Sequence, residues 1–217
     1  MRIVIAGAHG QIALRLGRIL DEQGHDVIGI VRNPKHGPDL ANAGVQTVVL
    51  DLEEADASDV VPAVRGADAV IFAAGAGPGS GAARKDTVDR GAAALLAEAA
   101  EAAGVRGYIL ISAMGVDTEP PADTSPVFRE YLKAKGASET DLKNRDLDWL
   151  ILRPGRLTNE EGTGLVHLAR SVDRAEVTRD DVAAVIAEVL GQGLKHQTLE
   201  LVGGDTPIAE AVASFAN

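Results

Sequence analysis

The sequence predicts an α/β fold in which a doubly wound parallel sheet lies between two layers of helices. Short apolar runs alternate with longer amphipathic stretches along most of the 217 residues. Near-continuous apolar runs are typical of strands buried on both faces of a parallel sheet, and parallel strands need helical crossovers. A glycine-containing turn joins the first such run to the first amphipathic stretch. We therefore predict a single three-layer domain over 1–217, with a small strand–helix extension at its end.

The predicted elements follow from apolar spacing and from the positions of turn residues. Strands are predicted at 2–6, 26–31, 46–50, 69–73, 106–111 and 149–152. The helices between them are predicted at 11–23, 57–65, 83–103 and 126–144. A short strand near Glu176, a helix over 179–190, a strand over 198–202 and a helix over 207–215 complete the chain.

The composition argues against several classes of protein. Asp and Glu number 32 against 21 Lys and Arg, which gives a net charge of −11, and only six residues are aromatic. Such a chain lacks the basic stripe and the stacking platforms of a nucleic-acid binder. No apolar run reaches the roughly 18 residues of a membrane span, no signal-peptide pattern is present, and there is no cysteine for a disulfide. We expect a cytoplasmic protein with neither nucleic-acid nor membrane partners.

The turn after the first predicted strand has the residue pattern of a phosphate-binding loop. Residues 7–13 are Gly-Ala-His-Gly-Gln-Ile-Ala, and they lead directly into the predicted helix. The first glycine permits a tight turn, the second lets a pyrophosphate approach the backbone, and the helix N-terminus offers unpaired N–H groups. A tight turn without ligand is the alternative. The predicted cofactor contacts in this turn are Gly7, His9, Gly10, Gln11 and Ile12.

The end of the second predicted strand indicates which nicotinamide cofactor is preferred. An NAD site usually presents Asp or Glu there to bind the ribose 2′-hydroxyl. This chain has Arg32, followed by Asn33, Pro34 and Lys35. Because a guanidinium can form paired hydrogen bonds with a 2′-phosphate, we predict NADP in preference to NAD, with Arg32 as the main contact and Lys35 in support. An ordinary surface arginine is the alternative.

The next two strand ends complete the predicted cofactor site. Asp51 can accept from the adenine amino group and Leu52 can pack on the ring, although a simple strand-end Asp is nearly as good an interpretation. Ala73, Ala74 and Gly75 are small enough for an adenosine or a diphosphate to lie against them. The glycine-rich run continues over 75–81, where Pro78 removes a donor N–H, so a flexible loop is favoured over a second phosphate turn.

Three residues form the predicted catalytic group. Tyr131 and Lys135 are four apart in a predicted helix and so lie on one helical face, and Ser112 follows the fifth strand. A phenol has an ordinary pKa of about 10, and a nearby ammonium together with an oxidised nicotinamide ring would favour its ionised form. Lys135 is also predicted to bind the nicotinamide ribose, and Ser112 to orient a substrate oxygen.

Taken in order, these motifs resemble the short-chain dehydrogenase/reductase superfamily, in the atypical NAD(P)H-binding branch that includes NmrA-like proteins and flavin/biliverdin reductases. The resemblance implies a Rossmann fold, a catalytic Tyr131–Lys135 pair, and a nicotinamide end lined by Pro154, Gly155 and Leu157. Ser112 departs from the family pattern, since Ala-Met-Gly follows it where active members usually carry further hydroxyl residues. The resemblance rests on residues 7–12, 31–34, 51–52, 73–75, 89, 91–92, 111–112, 131–135, 147–149, 153–158 and 178–183.

Three functions are compatible with this pattern. The leading hypothesis is an NADPH-dependent reductase of a small carbonyl or conjugated-ring substrate, with Tyr131 as the proton donor. The alternatives are an NADP-binding sensor without turnover, and an epimerase or dehydratase acting on a sugar-like substrate. Substrate recognition is assigned to two predicted loops, 114–124 and 159–172. The second loop belongs to the C-terminal segment after about residue 155. We expect a monomer or homodimer, and no metal, because the five histidines are scattered.

Overall fold

The computed structural model describes residues 1–77, 80–81 and 84–216, and within them the predicted alternation of strands and helices is confirmed. The strands are β1 (Arg2–Ala6), β2 (Asp26–Val31), β3 (Gln46–Val49), β4 (Ala69–Phe72), β5 (Gly107–Ile111), β6 (Asp148–Pro154), β7 (Arg156–Thr158), β8 (Leu165–Ala169), β9 (Glu176–Thr178), β10 (Gln197–Gly203) and β11 (Thr206–Pro207). The helices are α1 (Gln11–Glu22), α2 (Gly37–Ala41), α3 (Ala57–Val64), α4 (Ala93–Ala103), α5 (Pro126–Lys143), α6 (Arg179–Gln192) and α7 (Ile208–Ala213). None of the helices in these ranges is long and apolar enough to cross a membrane.

The main sheet has the doubly wound arrangement that the sequence predicts. Among the described residues its nine strands lie in the order β11-β8-β10-β6-β5-β4-β1-β2-β3. The strands from β10 to β3 are parallel, whereas β8 runs antiparallel to β10 and to β11. Because the chain winds outward in opposite directions from β1 and β4, the loops after these two strands diverge and open a crevice at their carboxyl ends.

The core is divided into two layers by the main sheet. Alternate residues of β1 point to opposite faces, with Ile3 and Ile5 packed on one side and Val4 and Ala6 on the other, all fully buried. On the first side α1 packs against α6, and on the second α3 packs against α4. A strand covered on both faces must be apolar at every position, which accounts for the continuous apolar run of β1.

The structure differs from the predicted elements at several points. The helix predicted over 83–103 begins at a residue outside the described ranges, and its described part is a π-helix over Lys85–Ala92 followed by α4. The predicted recognition loop 159–172 is wrong in part, because it contains β8, a strand between β11 and β10 with alternating burial. Short elements β7, β11 and α2 were not predicted, and a 3₁₀ turn over Pro34–His36 precedes α2.

Buried charges join α5 to the carboxyl end of β6. The Nε and Nη2 atoms of Arg153 donate to the two carboxylate oxygens of Glu139 at 2.9 and 2.7 Å. The Nη1 atom of Arg153 donates to Asp117 at 2.7 Å and lies 3.7 Å from a carboxylate oxygen of Glu200. A paired, charge-assisted arrangement of this kind fixes both distance and orientation. The network therefore sets where α5 sits above the end of β6.

We predict that Glu139→Gln destabilises the fold by about 1.5–3 kcal/mol, because the carboxylate that forms both close buried bonds with Arg153 is lost and only Asp117 and the more distant Glu200 still offset its charge. The control is Asp146→Asn, which removes a carboxylate from an exposed pair with Arg106 and should cost no more than about 1 kcal/mol. Urea unfolding followed by circular dichroism measures both variants. A loss for Glu139→Gln as small as that of the control would contradict the role given to this pair.

Candidate functional site

The turn between β1 and α1 is held in a conformation that only glycine adopts easily. Gly7 has a φ of +78°, and a Cβ built there would lie 2.5 Å from the Ala74 Cα. The Gly7 N–H donates to the Ile30 carbonyl at 3.1 Å, and the Gly10 N–H donates to the Gly7 carbonyl at 2.9 Å. The turn therefore lies directly against the residues that follow β4, at the point where the sheet order reverses.

The N-terminus of α1 is open to a ligand. Gly10 is its N-cap residue, and no side chain caps the first turn of the helix. Unpaired N–H groups at the start of a 12-residue helix suit an anionic group such as a phosphate. These donors lie beside a cavity of about 490 Å³, which we call the glycine-turn cavity. Its lining residues are Gly7, His9, Gly10, Gln11, Ile30, Val31, Arg32, His36, Leu50, Asp51, Leu52, Glu53, Ala73, Ala74, Gly75, Ala76, Gly77, Arg84, Val88 and Ala92.

Most of the predicted cofactor contacts line the glycine-turn cavity together. The exception within the turn is Ile12, whose side chain is buried among the core residues of α1 rather than lining the cavity. Its N–H is one of the uncapped donors in the first turn of α1, so its predicted contact with the cofactor stays a prediction, as a backbone contact. The ten predicted residues that line the cavity are Gly7, His9, Gly10, Gln11, Arg32, Asp51, Leu52, Ala73, Ala74 and Gly75.

A carboxylate that the sequence analysis missed lies beside Arg32. Glu53 accepts from Arg84 Nη2 at 2.5 Å, from the Thr87 hydroxyl at 2.7 Å and from Arg32 at 3.3 Å. The Arg84 hydrogen bond holds the pKa of the Glu53 carboxyl below its ordinary value, so Glu53 is charged at neutral pH. Two guanidinium groups thus converge on Glu53, and Asp51 lines the same cavity, so the two arginines are offset by two carboxylates.

Two histidines stack at the same end of the cavity. The rings of His9 and His36 lie 3.6 Å apart and nearly parallel, and His9 Nε2 is 2.8 Å from an Asp39 oxygen. Burial and the neighbouring His9 lower the pKa of His36 below its ordinary value. The stack thereby holds His9 at the cavity wall beside the glycine turn.

A second cavity, of about 770 Å³, opens at the carboxyl ends of β5 and β6, and we call it the Tyr131 cavity. It brings the predicted proton donor, Tyr131, to the same space as Pro154, Gly155 and Leu157, which the family resemblance places at the nicotinamide end. The lining residues are Ala113, Met114, Phe128, Tyr131, Pro154, Gly155, Arg156, Leu157, Arg174, Ala175, Glu176 and Arg179.

The Tyr131 phenol keeps its proton. Burial, and to a smaller extent the Asp89 carboxylate, raise the pKa of Tyr131 above its ordinary value. The nearest ammonium groups lie over the face of its ring, with Lys85 Nζ 5.3 Å and Lys135 Nζ 6.0 Å from the ring centroid. Burial therefore opposes the ionised phenol, and the expectation that a nearby ammonium together with an oxidised nicotinamide ring favours it stays a prediction.

Lys135 lines neither cavity, which corrects its predicted role as a ribose ligand. Its ammonium donates to the Ile111 carbonyl at 2.9 Å and lies 3.3 Å from Asp89 Oδ1. The residue is 3% exposed, and burial lowers the pKa of its ammonium although Asp89 acts in the opposite direction. Its donor group is already used to join α5 to the end of β5.

Ser112 is also turned away from the Tyr131 cavity. Its hydroxyl donates to Glu139 at 2.6 Å and its N–H donates to the Leu152 carbonyl at 2.8 Å. With 3% of its surface exposed, it belongs to the buried network around Arg153. The prediction that Ser112 orients a substrate oxygen is corrected, because Glu139 already holds its hydroxyl.

Asp89 ties the loop after β4 to the π-helix. It is fully buried, and its Oδ2 accepts from the Ala76 N–H at 3.3 Å. Its Oδ1 has no hydrogen-bond partner among the described residues and faces the Lys135 ammonium. π-Helical turns are rare and often occur at functional sites. Here the π-helical turn places the Asp89 carboxylate between two groups. One is the Ala76 N–H in the loop that lines the glycine-turn cavity, and the other is the Lys135 ammonium, which lies over the Tyr131 ring.

Within the described ranges, no group of three or more His, Asp or Glu side chains is arranged to hold a metal ion. The described site consists of an uncapped helix N-terminus beside one cavity and a protonated phenol beside another. Both lie at the carboxyl edge of the same sheet, the usual location of ligands in open parallel sheets.

The comparison with known proteins agrees with this geometry. The sequence model of a family described as NAD(P)H-binding matches residues 7–193. The chain is 35% identical over 214 residues to the Bacillus subtilis protein named "uncharacterized sugar epimerase YhfK", covering 98% of this chain and 99% of that one. It therefore belongs to the NAD(P)H-binding family, which confirms the family resemblance.

Two solved structures are closely similar. One, described as an NAD-dependent epimerase/dehydratase from Bacillus halodurans, has a TM-score of 0.91 and 38% identity and covers 99% of both chains. The other is ChuY, an anaerobillin reductase from Escherichia coli O157:H7, with a TM-score of 0.78 and 25% identity over 94% of this chain and 98% of that one. The predicted doubly wound fold is confirmed by these neighbours.

We predict that Lys135→Met lowers the free energy of unfolding by about 3–5 kcal/mol, because Asp89 is left buried without a counter-charge. The double variant Lys135→Met with Asp89→Asn should recover part of the loss. Thermal and urea unfolding measure both. If Lys135→Met instead kept full stability and lost only cofactor affinity, the ribose role would be right and the structural role wrong.

Proposed function

We propose that the protein is an NADPH-dependent reductase that acts on a small carbonyl or conjugated-ring substrate, with Tyr131 as the proton donor. The observation that carries this proposal is the position of Tyr131. It lines one cavity with Pro154 and Gly155, at the same sheet edge as the open N-terminus of α1. A dinucleotide held at that helix would extend along the edge towards the phenol.

The residues of the glycine-turn cavity fit the phosphate-rich half of such a cofactor. The uncapped N–H groups of α1 and the close approach allowed at Gly7 and Gly10 suit a pyrophosphate. Arg32 contacts Glu53 at 3.3 Å through one nitrogen and is half exposed, so its remaining N–H groups are available to a 2′-phosphate. Asp51 and Leu52 are available to the adenine.

The chain's own contribution to the reaction is orientation and a proton. When bound, the reduced nicotinamide supplies a hydride to the substrate carbon. Tyr131, protonated because of its burial, donates its proton to the substrate oxygen as that oxygen gains negative charge, and the phenolate is then reprotonated from solvent. Phe128, stacked on the Tyr131 ring, and Met114 add apolar surface to the cavity that holds the phenol.

A sensor that binds NADP without turnover is the second candidate. It is favoured by one observation: Lys135 is committed to Ile111 and Asp89, so no ammonium of α5 faces the Tyr131 cavity. The epimerase or dehydratase alternative is suggested by the names of the two Bacillus relatives. Within the described chain, however, the segment after residue 155 mainly builds β8, β10, β11, α6 and α7, which leaves little to enclose a sugar nucleotide.

We predict that Arg32→Gln weakens NADPH binding by roughly 10- to 100-fold and changes NADH binding by no more than about threefold, since a charge-assisted hydrogen bond to the 2′-phosphate is lost. Fluorescence titration of both cofactors measures this. Arg18→Gln is the matched control, because Arg18 is exposed on α1 and lies outside both cavity linings. An equal loss for both cofactors would show that Arg32 does not select the phosphate.

We predict that Tyr131→Phe lowers kcat for NADPH-dependent reduction by about 10²- to 10⁴-fold, the usual contribution of a positioned acid, while NADPH affinity stays within about twofold. The assay follows NADPH oxidation with a panel of aromatic aldehydes and quinones. The chain's other tyrosine provides the control: Tyr108 donates to the Ala93 carbonyl in the core, so Tyr108→Phe should lose stability but keep kcat. A Tyr131→Phe protein with unchanged turnover would contradict the proton-donor role. A wild-type protein that binds NADPH and reduces nothing would favour the sensor.

A further inference from the structure

The lining of the Tyr131 cavity has two chemically different parts. One part is apolar and partly aromatic, with Phe128 stacked on Tyr131 at a centroid distance of 5.6 Å and Met114 beside them. The rest of the lining includes Arg156, Arg174 and Arg179. A protein with a net charge of −11 therefore concentrates three guanidinium groups in one cavity.

The three arginines are not equally available to a ligand. Arg156 forms an ion pair with Glu176, the acidic residue of the lining. Arg174 and Arg179 have no carboxylate within 4.0 Å among residues 1–77, 80–81 and 84–216, so the lining keeps two uncompensated positive charges. An unpaired guanidinium favours an oxyanion ligand, with which it forms paired hydrogen bonds.

Arg174 is positioned by the backbone of the facing loop. A Cβ added to Gly115 would fall 2.1 Å from Arg174 Nη2, so the guanidinium lies directly on the Gly115 main chain. Gly115 has a φ of +88° and leads into a turn in which the Thr118 hydroxyl donates to the Gly115 carbonyl. This contact joins the loop after β5 to the segment before β9 at the cavity.

The position of Arg179 does not stabilise its own helix. It is the first residue of α6, and a cation at a helix N-terminus opposes the helix dipole. The acidic residues beside it are engaged elsewhere: Asp180 accepts from Arg15, and Asp181 accepts from Thr163, Gly164 and Thr178. One nitrogen of Arg179 donates to Asn159 at 2.8 Å, which orients the rest of the group.

We propose that the substrate of this cavity is a molecule with a flat aromatic or conjugated body and an oxyanion group, the body on Phe128 and Tyr131 and the oxyanion on Arg174 and Arg179. Calling the ligand a substrate rests on the proposed reductase function, whereas the recognition of the oxyanion stands on the cavity alone. The reacting carbon then lies on the Tyr131 side, away from the arginines.

The test is equilibrium binding, so it does not require turnover. Isothermal titration of the wild-type protein, with and without saturating NADP⁺, compares 2-naphthoate, 2-naphthamide and 2-naphthyl phosphate. We expect the naphthoate or the phosphate to bind at least tenfold more tightly than the neutral amide. Their affinity should fall when KCl is raised from about 50 to about 500 mM, because salt screens the arginines. Whichever anion binds more tightly identifies the oxyanion as carboxylate or phosphate.

Variants of the cavity arginines test whether they cause the preference for anions. Arg174→Gln should weaken the preferred anion by about tenfold or more and leave the amide and NADPH unchanged. The control is Arg170→Gln, since Arg170 is exposed and lies outside the cavity lining. Equal binding of anion and amide, no binding of any probe at millimolar concentration, or a loss of NADPH affinity in Arg174→Gln would overturn the proposal. Loss of turnover in Tyr131→Phe tests the reductase function separately and does not alter these binding outcomes.

Discussion

The candidate site depends on the bidentate bond between Arg153 and Glu139. It joins the carboxyl end of β6, where Pro154 and Gly155 follow, to the middle of α5, which carries Tyr131 two helical turns earlier. Removing two charges from water costs several kcal/mol for each ion, so the pair persists only because its hydrogen bonds are well satisfied. The remaining hydrogen bonds come from the loop directly after β5, where Ser112 donates to Glu139 and Asp117 accepts from Arg153. One buried pair thus fixes three of the segments that form the Tyr131 cavity.

A second buried pair, Lys135 with Asp89, fixes the segments around the glycine-turn cavity in the same way. It connects α5 to the π-helix, and through the Ala76 N–H it holds the loop that lies against Gly7. The same helix therefore carries Glu139 and Lys135, one for each cavity, and both are used as structural ties. The geometry of the phenol relative to the helix N-terminus follows from these two ties, because α5 cannot shift without exposing or unpairing a buried charge.

The sequence predicted the parts of the structure that depend on local patterns and misassigned those that depend on distant partners. β1, the glycine turn and α1 follow from residues next to one another, and their positions were predicted closely. Ser112 and Lys135 were assigned to substrate and cofactor because their spacing fits, but their donors are taken by Glu139, 27 residues later, and by Ile111, 24 residues earlier. Glu53 was missed because its partners Arg84 and Thr87 lie more than 30 residues away. β8 was missed for a different reason: Val166 and Leu168 alternate with less buried neighbours, which is the pattern of an antiparallel strand with one face open to solvent and not of a strand buried on both faces.

Both cavities contain local donors for an anion, although the protein as a whole is acidic. An acidic surface repels anions at long range, but the repulsion is screened within about 10 Å at ordinary ionic strength. Close to the sheet edge the field is set by local groups instead: the uncapped N-terminus of α1 beside the glycine-turn cavity, and Arg174 with Arg179 in the lining of the Tyr131 cavity. In the function we propose, these groups would hold one anion on the cofactor side and another on the substrate side, and the apolar surface around Tyr131 would then be left for the uncharged atoms that react.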